Sequence, residues 1–288
     1  PMSYNKSSGE VVNPRHWKNL ARVGLKVGIF AIGIQFVGFV ILLPKLWFVF
    51  SPREAIFQAV FQSVSSFNNA GFVILNEIPS LVSYKTDDLL IGVTALLILS
   101  GSISYWVILD IMKRRRFLTL TLNTKLVLIG SIGVIFLGAI VFLTFEYNNP
   151  AFFERLTVWE RLKISLFEAI SGRTAGFTLV DYSETSHHTN FVFVFLMLIG
   201  GASASVAGGL KINTLMVIIV GSLFTLKGWN RVGIFGRQIN YRQIHAAIIL
   251  VFLVLGVIFF TTFILTLTDP QFLFVDLLFE SASALGTA

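Results

Sequence analysis

The sequence predicts an all-α polytopic membrane protein, with parallel repeats of transmembrane helix, re-entrant pore loop and transmembrane helix around a central pore. Composition, the lengths of the apolar segments and a repeated loop motif lead to this prediction. Of the 288 residues, 55% are hydrophobic and 13% are charged, whereas soluble domains carry about 25% charged residues. Polar side chains are therefore too few to cover a water-exposed globule, which excludes a soluble protein.

Apolar segments set the number of membrane crossings, because one crossing takes about 20 residues. Five segments reach or approach this length, at residues 23–50, 89–111, 126–145, 191–226 and 244–267. The fourth has 36 residues and is too long for one simple crossing. Three shorter apolar pieces end in small or polar residues and are predicted not to cross, at residues 55–75, 162–179 and 272–288.

Charge predicts the orientation, since lysine and arginine collect in cytoplasmic loops. Fourteen basic residues flank the crossings on one side, whereas the opposite segments hold 13 acidic and 7 basic residues. The basic side is therefore expected to be cytoplasmic. The basic run at 113–116 is more typical of a stop-transfer signal that contacts anionic lipid than of a nucleic-acid site. We predict the lipid bilayer as a partner and no nucleic acid.

The three short pieces share a motif, at residues 61–72, 167–178 and 279–288. Each copy begins with Phe-Gln or Phe-Glu and reaches an alanine preceded by Asn or Thr, and the first two continue with Gly-Phe. The copies start 106 and 112 residues apart. Two crossings separate successive copies, so the units share one orientation, which disfavours the inverted repeats of many transporters.

The repeat predicts four parts of the chain. They are a cytoplasmic tail (1–16), a pore repeat (17–116), a pore repeat with a broken second transmembrane helix (117–242) and an incomplete pore repeat (243–288).

The repeated loops have the chemistry of a cation filter. A half-helix that enters the membrane directs the negative end of its dipole inward, which favours cations. Glycine permits backbone angles that turn carbonyl oxygens toward an axis, and rings of carbonyls replace the hydration shell of a monovalent cation. The alternative is a buried loop that only packs helices, but three near-copies favour the filter. The candidate ion-binding residues are Asn69, Ala70, Gly71, Thr174, Ala175, Gly176, Thr287 and Ala288.

The fourth apolar segment is interrupted by glycines and small residues, which predicts two half-helices joined by a loop inside the membrane. The loop would lie on the cytoplasmic side of the filter and obstruct the ion path as a gate. The alternative is a small-residue face for close helix packing. The candidate gating residues are Gly200, Gly201, Ala202, Ser203, Ala204, Ser205, Val206, Ala207, Gly208, Gly209 and Leu210.

Arg173 directly precedes Thr174 at membrane depth, where an unpaired charge is costly. We expect it to support the filter by pairing with Glu168 or Glu280; the alternative is an arginine that extends outward to the vestibule.

Catalytic and metal chemistry have little support in the sequence. The chain has no cysteine, which excludes disulfides and thiolate sites. No catalytic triad, paired-carboxylate site or phosphate loop is evident, so we predict that the chain is not an enzyme and carries no cofactor. The adjacent histidines His187 and His188 lack further ligands at suitable spacing.

Three segments carry a family resemblance: Phe-Asn-Asn-Ala-Gly-Phe at 67–72, Gly-Arg-Thr-Ala-Gly-Phe-Thr at 172–178, and the glycine-rich run at 200–211. They resemble the Ktr/Trk/HKT superfamily of potassium transporters, most closely the membrane subunits of bacterial Ktr systems. The resemblance implies a channel-like transporter that moves K⁺ through four units around one pore. It makes Gly71 and Gly176 filter glycines and 200–210 the gating loop. A sodium-selective or poorly selective transporter is the alternative.

The resemblance also implies partners and a location. It implies a homodimer with one pore per protomer, a cytoplasmic regulatory ring (KtrA-like) that binds the nucleotide, and sodium as a candidate activator. The bacterial inner membrane is the expected location, and the cytoplasmic link at 227–242 is the expected contact with the ring. Because the chain holds two complete units and the start of another, we expect that it cannot close a four-sided filter alone.

Overall fold

The computed structural model describes residues 14–75, 80–151, 153, 156–228, 233–235 and 237–288. Helices dominate this part of the chain, which confirms the predicted class; a hairpin of two-residue strands, β1 (Gly233–Ile234) and β2 (Arg237–Gln238), lies in the link before the last long helix. The helices, in chain order, are α1 (Pro14–Trp47), α2 (Pro52–Phe67), α3 (Asp88–Ser102), α4 (Tyr105–Arg114), α5 (Leu122–Glu146), α6 (Val158–Ser171), α7 (His187–Leu198), α8 (Ile212–Leu226), α9 (Tyr241–Thr268) and α10 (Phe274–Gly286).

Three helices are long and apolar enough to cross a membrane: α1, α5 and α9. They match the predicted crossings at 23–50, 126–145 and 244–267. Most of their side chains face outward from the chain, as expected of surfaces that contact lipid. Pro44 does not interrupt α1 but lies in its last turn, three residues before the helix ends at Trp47.

The three short apolar pieces each form one helix followed by non-helical chain: α2, α6 and α10. α6 begins at a capping box in which Thr157 and Glu160 each bond the other's backbone amide. Hydrogen bonds from the Thr157 amide and hydroxyl lower the pKa of the exposed Glu160 carboxyl. α2 packs against α1 and α3, α6 against α5 and α3, and α10 against α9 and α7. Each half-helix thus packs against two other helices.

The second predicted crossing, 89–111, is not one straight helix. It consists of α3 and α4, which meet at a bend of 93° across Ile103 and Ser104. The end of α3 is closely packed at this break. A Cβ added to Gly101 would overlap the carbonyl oxygen of Phe67 at the end of α2, so the end of α3 lies directly against the first half-helix.

The fourth apolar segment forms α7 and α8, with residues 199–211 between them, as the sequence predicts. A parallel bridge joins Ile199 to Leu210 and brings the two ends of this loop together. The largest buried side chains of the main core are phenylalanines between α5, α6 and α7, including Phe142, Phe167 and Phe193. This core holds the second half-helix between its two neighbouring helices.

Candidate functional site: three converging loops

The chain enters the left-handed backbone region at the same motif position after each half-helix. The φ angles are 52° at Asn69, 65° at Thr174 and 59° at Thr287. Gly71 and Gly176 follow two residues later with φ of 73° and 76°. A β-branched threonine rarely adopts this region, and each such residue costs about 1–3 kcal/mol. The surrounding structure therefore holds these three loops in one shared conformation.

A serine that sequence analysis did not single out organises each loop. It is the fifth residue of every motif copy, which is the signal that could have found it. Its carbonyl accepts a hydrogen bond from the motif alanine, at 3.0 Å for Ala70 to Ser65, 2.9 Å for Ala175 to Ser171 and 3.1 Å for Ala288 to Ser283. In the first two loops its hydroxyl also donates to the phenylalanine after the glycine, at 2.7 Å for Ser65 to Phe72 and 2.5 Å for Ser171 to Phe177.

The three loops meet at one place. A Cβ built on Gly71 would lie 2.9 Å from the Ala175 carbonyl oxygen and 3.0 Å from the Gly176 Cα. A Cβ built on Gly176 would lie 3.2 Å from the Gly71 Cα and 3.3 Å from the carbonyl carbon of Ala288. The first loop thus contacts the second, and the second contacts the third. Glycine is required at both positions because the backbone has a positive φ there and because a Cβ would collide with the neighbouring loop.

Glu168 is fully buried behind the second loop. It accepts hydrogen bonds from the Leu179 amide at 2.6 Å and the Tyr182 hydroxyl at 2.7 Å. The Glu168 side chain on α6 therefore holds the segment that follows the second loop, at Leu179 and Tyr182. The equivalent residue of the third motif, Glu280, is exposed.

Arg173 is buried and 3% exposed, but it does not form the expected pair with Glu168 or Glu280. Among the described residues it takes part in no ion pair, and its Nη2 donates to the carbonyl oxygen of Gly200 at 3.0 Å. Its position just past the end of α6 places the cation near the negative end of the helix dipole. Pairing was expected because a carboxylate is the usual partner; folding brings a backbone carbonyl to it instead.

The predicted gating loop lies directly against the second and third of the converging loops. A Cβ on Gly208 would overlap Thr287 and Gly286, and one on Gly209 would lie 3.1 Å from the Thr174 side chain. Backbone hydrogen bonds also tie the loop to the end of α3: the Ala202 amide donates to Ser102 at 2.8 Å.

One side chain in α8 also restrains the loop. The Asn213 Oδ1 accepts from the Ser203 amide at 3.1 Å, and its amide nitrogen donates to Asn123 at the start of α5. Lys211 donates to the Ala207 carbonyl. Both side-chain and backbone hydrogen bonds therefore hold the loop in this position.

The described residues were also compared with the requirements of a metal site. No cluster of three or more His, Asp or Glu suited to a metal ion is found among them. His187 has one acidic neighbour, Asp276, at 4.0 Å. In the outer loop, hydrogen bonds from the Ser183 hydroxyl and amide lower the pKa of the Asp181 carboxyl.

Comparison with known proteins identifies the family. The model of the TrkH family of cation transport proteins matches residues 4–288. The chain is 34% identical over 259 residues to Ktr system potassium uptake protein B of Bacillus subtilis (strain 168), covering 90% of this chain and 58% of that protein. It is 33% identical over 281 residues to the potassium/sodium uptake protein NtpJ of Enterococcus hirae, covering 96% of this chain and 62% of that protein.

A solved structure shares the fold. The potassium transporter TrkH from Vibrio parahaemolyticus superposes with a TM-score of 0.69 at 14% identity, over 86% of this chain and 52% of that chain. The chain thus spans about three-fifths of the curated relatives' length. Together with its apolar helices, these similarities identify a multi-pass protein of the bacterial plasma membrane. The three converging loops and the family match lead to one conclusion: this chain belongs to the TrkH family of cation transport proteins.

Proposed function

We propose that this chain forms part of a channel-like pathway that moves potassium ions across the membrane, with the loops at 69–71, 174–176 and 287–288 as its selectivity filter. One observation carries the proposal: three left-handed loops, two of which contain glycine, converge at the ends of three half-helices. The names of two relatives, a potassium uptake protein and a potassium/sodium uptake protein, support potassium as the transported ion.

The mechanism follows from the geometry of the loops. The half-helices α2, α6 and α10 each end at a loop, so their negative dipole ends are directed toward the point of convergence. Backbone carbonyls there replace the water that a potassium ion sheds. The ion then moves down its electrochemical gradient. The carboxylate of Glu168 and the repeated serines act on the loops through hydrogen bonds and do not touch the ion.

The loop at 200–210 is proposed as the gate of this pathway. Contact between Gly208 and Thr287 and between Gly209 and Thr174 supports a position next to the filter. Its restraints include backbone hydrogen bonds to Gly101 and Ser102. Breaking them would let the small side chains withdraw from the ion path.

The division into a tail (1–16), two pore repeats (17–116 and 117–242) and a partial repeat (243–288) stays a proposal, as does the assembly. We propose a homodimer that binds a nucleotide-carrying regulatory ring at its cytoplasmic face. The word "system" in the name of the B. subtilis relative supports a multi-component assembly. Part of the expected contact, at 229–232 and 236, lies outside the described residues.

Cation uptake into liposomes tests the proposal. The full-length protein should admit K⁺ and Rb⁺ in preference to Na⁺. Protein-free liposomes and liposomes with Gly71→Val protein serve as controls, because a β-branched side chain at Gly71 would collide with the second loop. Equal uptake of Na⁺ and K⁺ would favour a poorly selective pathway. No uptake by a verified folded protein would refute the proposal.

A further inference from the structure

The contacts of α4 indicate a position near the inner boundary of the membrane. From Lys26 to Trp47, α1 has 22 residues, and their 21 helical steps of about 1.5 Å give a length of about 32 Å, which matches the thickness of the hydrocarbon core. The Tyr105 ring at the start of α4 contacts the Phe30 ring with centroids 5.5 Å apart, and Phe30 is one helical turn from Lys26. Because α3 packs beside α1 and α4 bends by 93° from α3, α4 runs along this boundary rather than through it.

The surface of α4 and the following turn is both apolar and basic. Trp106, Met112 and Leu118 are 54%, 64% and 86% exposed. The basic run at 113–116 lies at the end of the same helix, and all four side chains are exposed. An exposed tryptophan next to lysines and arginines on an interfacial helix is typical of segments that lie in the headgroup region.

Three of these cations are available to a ligand. Arg114 is occupied, because it pairs with Asp110 at 2.7 Å and donates to the Thr119 carbonyl at 2.6 Å. Within the described part of the chain, the charged groups of Lys113, Arg115 and Arg116 have no hydrogen-bond or ion-pair partner. A cleft of about 330 Å³ opens beside Lys113, and Trp106, Thr121 and the paired Asp110 and Arg114 also line it.

We propose that this surface, defined by Trp106, Lys113, Arg115 and Arg116, binds the anionic headgroups of phospholipids in the cytoplasmic leaflet. The positive charges of this surface are complementary to an anionic headgroup, and α4 lies at the depth of the headgroup region. The exposed side chains of Trp106 and Met112 are suited to contact the adjacent acyl chains. A soluble acidic partner would explain the charges but not the exposed apolar side chains between them.

The same surface is connected to the loop at 200–210. The elbow between α3 and α4 contains Gly101 and Ser102, whose carbonyls accept hydrogen bonds from Val206 at 3.3 Å and Ala202 at 2.8 Å. A lipid that fixes α4 at the interface also fixes this elbow, and thereby the restraint on the loop. This coupling rests on the proposed gate; the lipid site does not.

Quenching of tryptophan fluorescence tests the site. In full-length protein with Trp106 as its sole tryptophan, brominated phosphatidylglycerol should quench Trp106 more than brominated phosphatidylcholine at equal bilayer fraction. Neutralisation by K113Q, R115Q and R116Q should reduce this preference by about tenfold or more, because each surface charge contributes several-fold to anionic-lipid affinity. The charge-preserving triple variant K113R, R115K and R116K should retain the preference for phosphatidylglycerol. The double variant R53Q and K85Q, which removes two charges on the opposite side of the membrane, should also retain it.

High salt gives a measurement that needs no substitution, since screening should weaken the preference of the unaltered surface. Equal quenching by the two lipids at low salt, or equal quenching in all variants, overturns the lipid site and favours a protein partner. Cation flux at graded phosphatidylglycerol content tests the coupling separately. If quenching shows the preference for phosphatidylglycerol but cation flux does not change with its content, only the coupling between the lipid site and the loop is refuted. If no cation flux is measured at all, the result bears on the proposed transport and not on the lipid site.

Discussion

The Nη2 of Arg173 donates to the carbonyl oxygen of Gly200 across 3.0 Å. Arg173 directly precedes the left-handed Thr174 of the second loop, and Gly200 is the first residue of the proposed gate. One buried hydrogen bond therefore joins the second loop of the proposed filter to the proposed gate. We expect a change in either segment to affect the other through the guanidinium group.

Replacing Arg173 with methionine should raise basal potassium flux, because the Gly200 carbonyl loses its donor and the gate loses a restraint. A buried acceptor left without a partner costs about 1–3 kcal/mol, so thermal stability should fall as well. Arg161→Met is the matched control: Arg161 also donates to a backbone carbonyl, that of Leu156 at 3.1 Å, but far from the gate. Unchanged flux in a folded Arg173→Met protein would show that this bond does not restrain the gate.

Gly176→Ser should weaken the preference for K⁺ over Na⁺ by roughly tenfold, because a side chain at φ of 76° costs about 1–2 kcal/mol and would displace the carbonyls. Competitive uptake of Rb⁺ and Na⁺ into liposomes measures the preference. Gly133→Ser in α5 is the control, because a Cβ there meets nothing within 4 Å. Wild-type preference in both variants would argue against a filter at Gly176.

Removal of residues 202–207 should raise basal flux and reduce its dependence on the regulatory ring. Asn213→Ala should act in the same direction with a smaller effect, because it removes the acceptor for the Ser203 amide. Gln243→Ala is a suitable control, since Gln243 lines the same cleft as Asn213 and forms no side-chain bond with the loop. A folded deletion variant with normal, regulated flux would contradict the gate.

Glu168→Ala should lower the free energy of unfolding by about 1–3 kcal/mol, because the Leu179 amide and the Tyr182 hydroxyl lose their acceptor inside the protein. Tyr182→Phe removes one of these bonds and should cost about 1 kcal/mol. The exposed Glu280, at the same motif position, provides the comparison: Glu280→Gln should change stability by less than about 0.5 kcal/mol. Denaturant unfolding in detergent measures all three, and equal effects at Glu168 and Glu280 would contradict the role assigned to Glu168.

Much of the architecture is predictable from local sequence. The apolar lengths identify α1, α5 and α9, because hydrocarbon requires about 20 apolar residues for a crossing. The repeated Phe-Gln and Phe-Glu motif identifies α2, α6 and α10 and their shared loops. The glycines at 200–201 and 208–209 predict the break between α7 and α8. Each of these features is encoded in one short continuous segment of the chain.

The bend between α3 and α4 and the partner of Arg173 were not predictable in this way. Residues 89–111 are mostly apolar and long enough for one crossing despite the small residues at 100–104. Only the folded chain shows the contact between Gly101 and Phe67 and the bond from Ala202 to Ser102 at the end of α3. Arg173 was expected to pair with a carboxylate, but Glu168 is occupied by Leu179 and Tyr182.

The sequence by itself thus determined the membrane class, the three long crossings α1, α5 and α9 and the three repeated loops, because apolar length, glycine and helix dipoles act locally. The tertiary structure decided which groups meet: the convergence of Gly71, Gly176 and Ala288, the Arg173–Gly200 bond and the exposed face of α4. These contacts join residues far apart in the chain, and buried polar groups take whichever partner the packed helices bring within hydrogen-bonding distance.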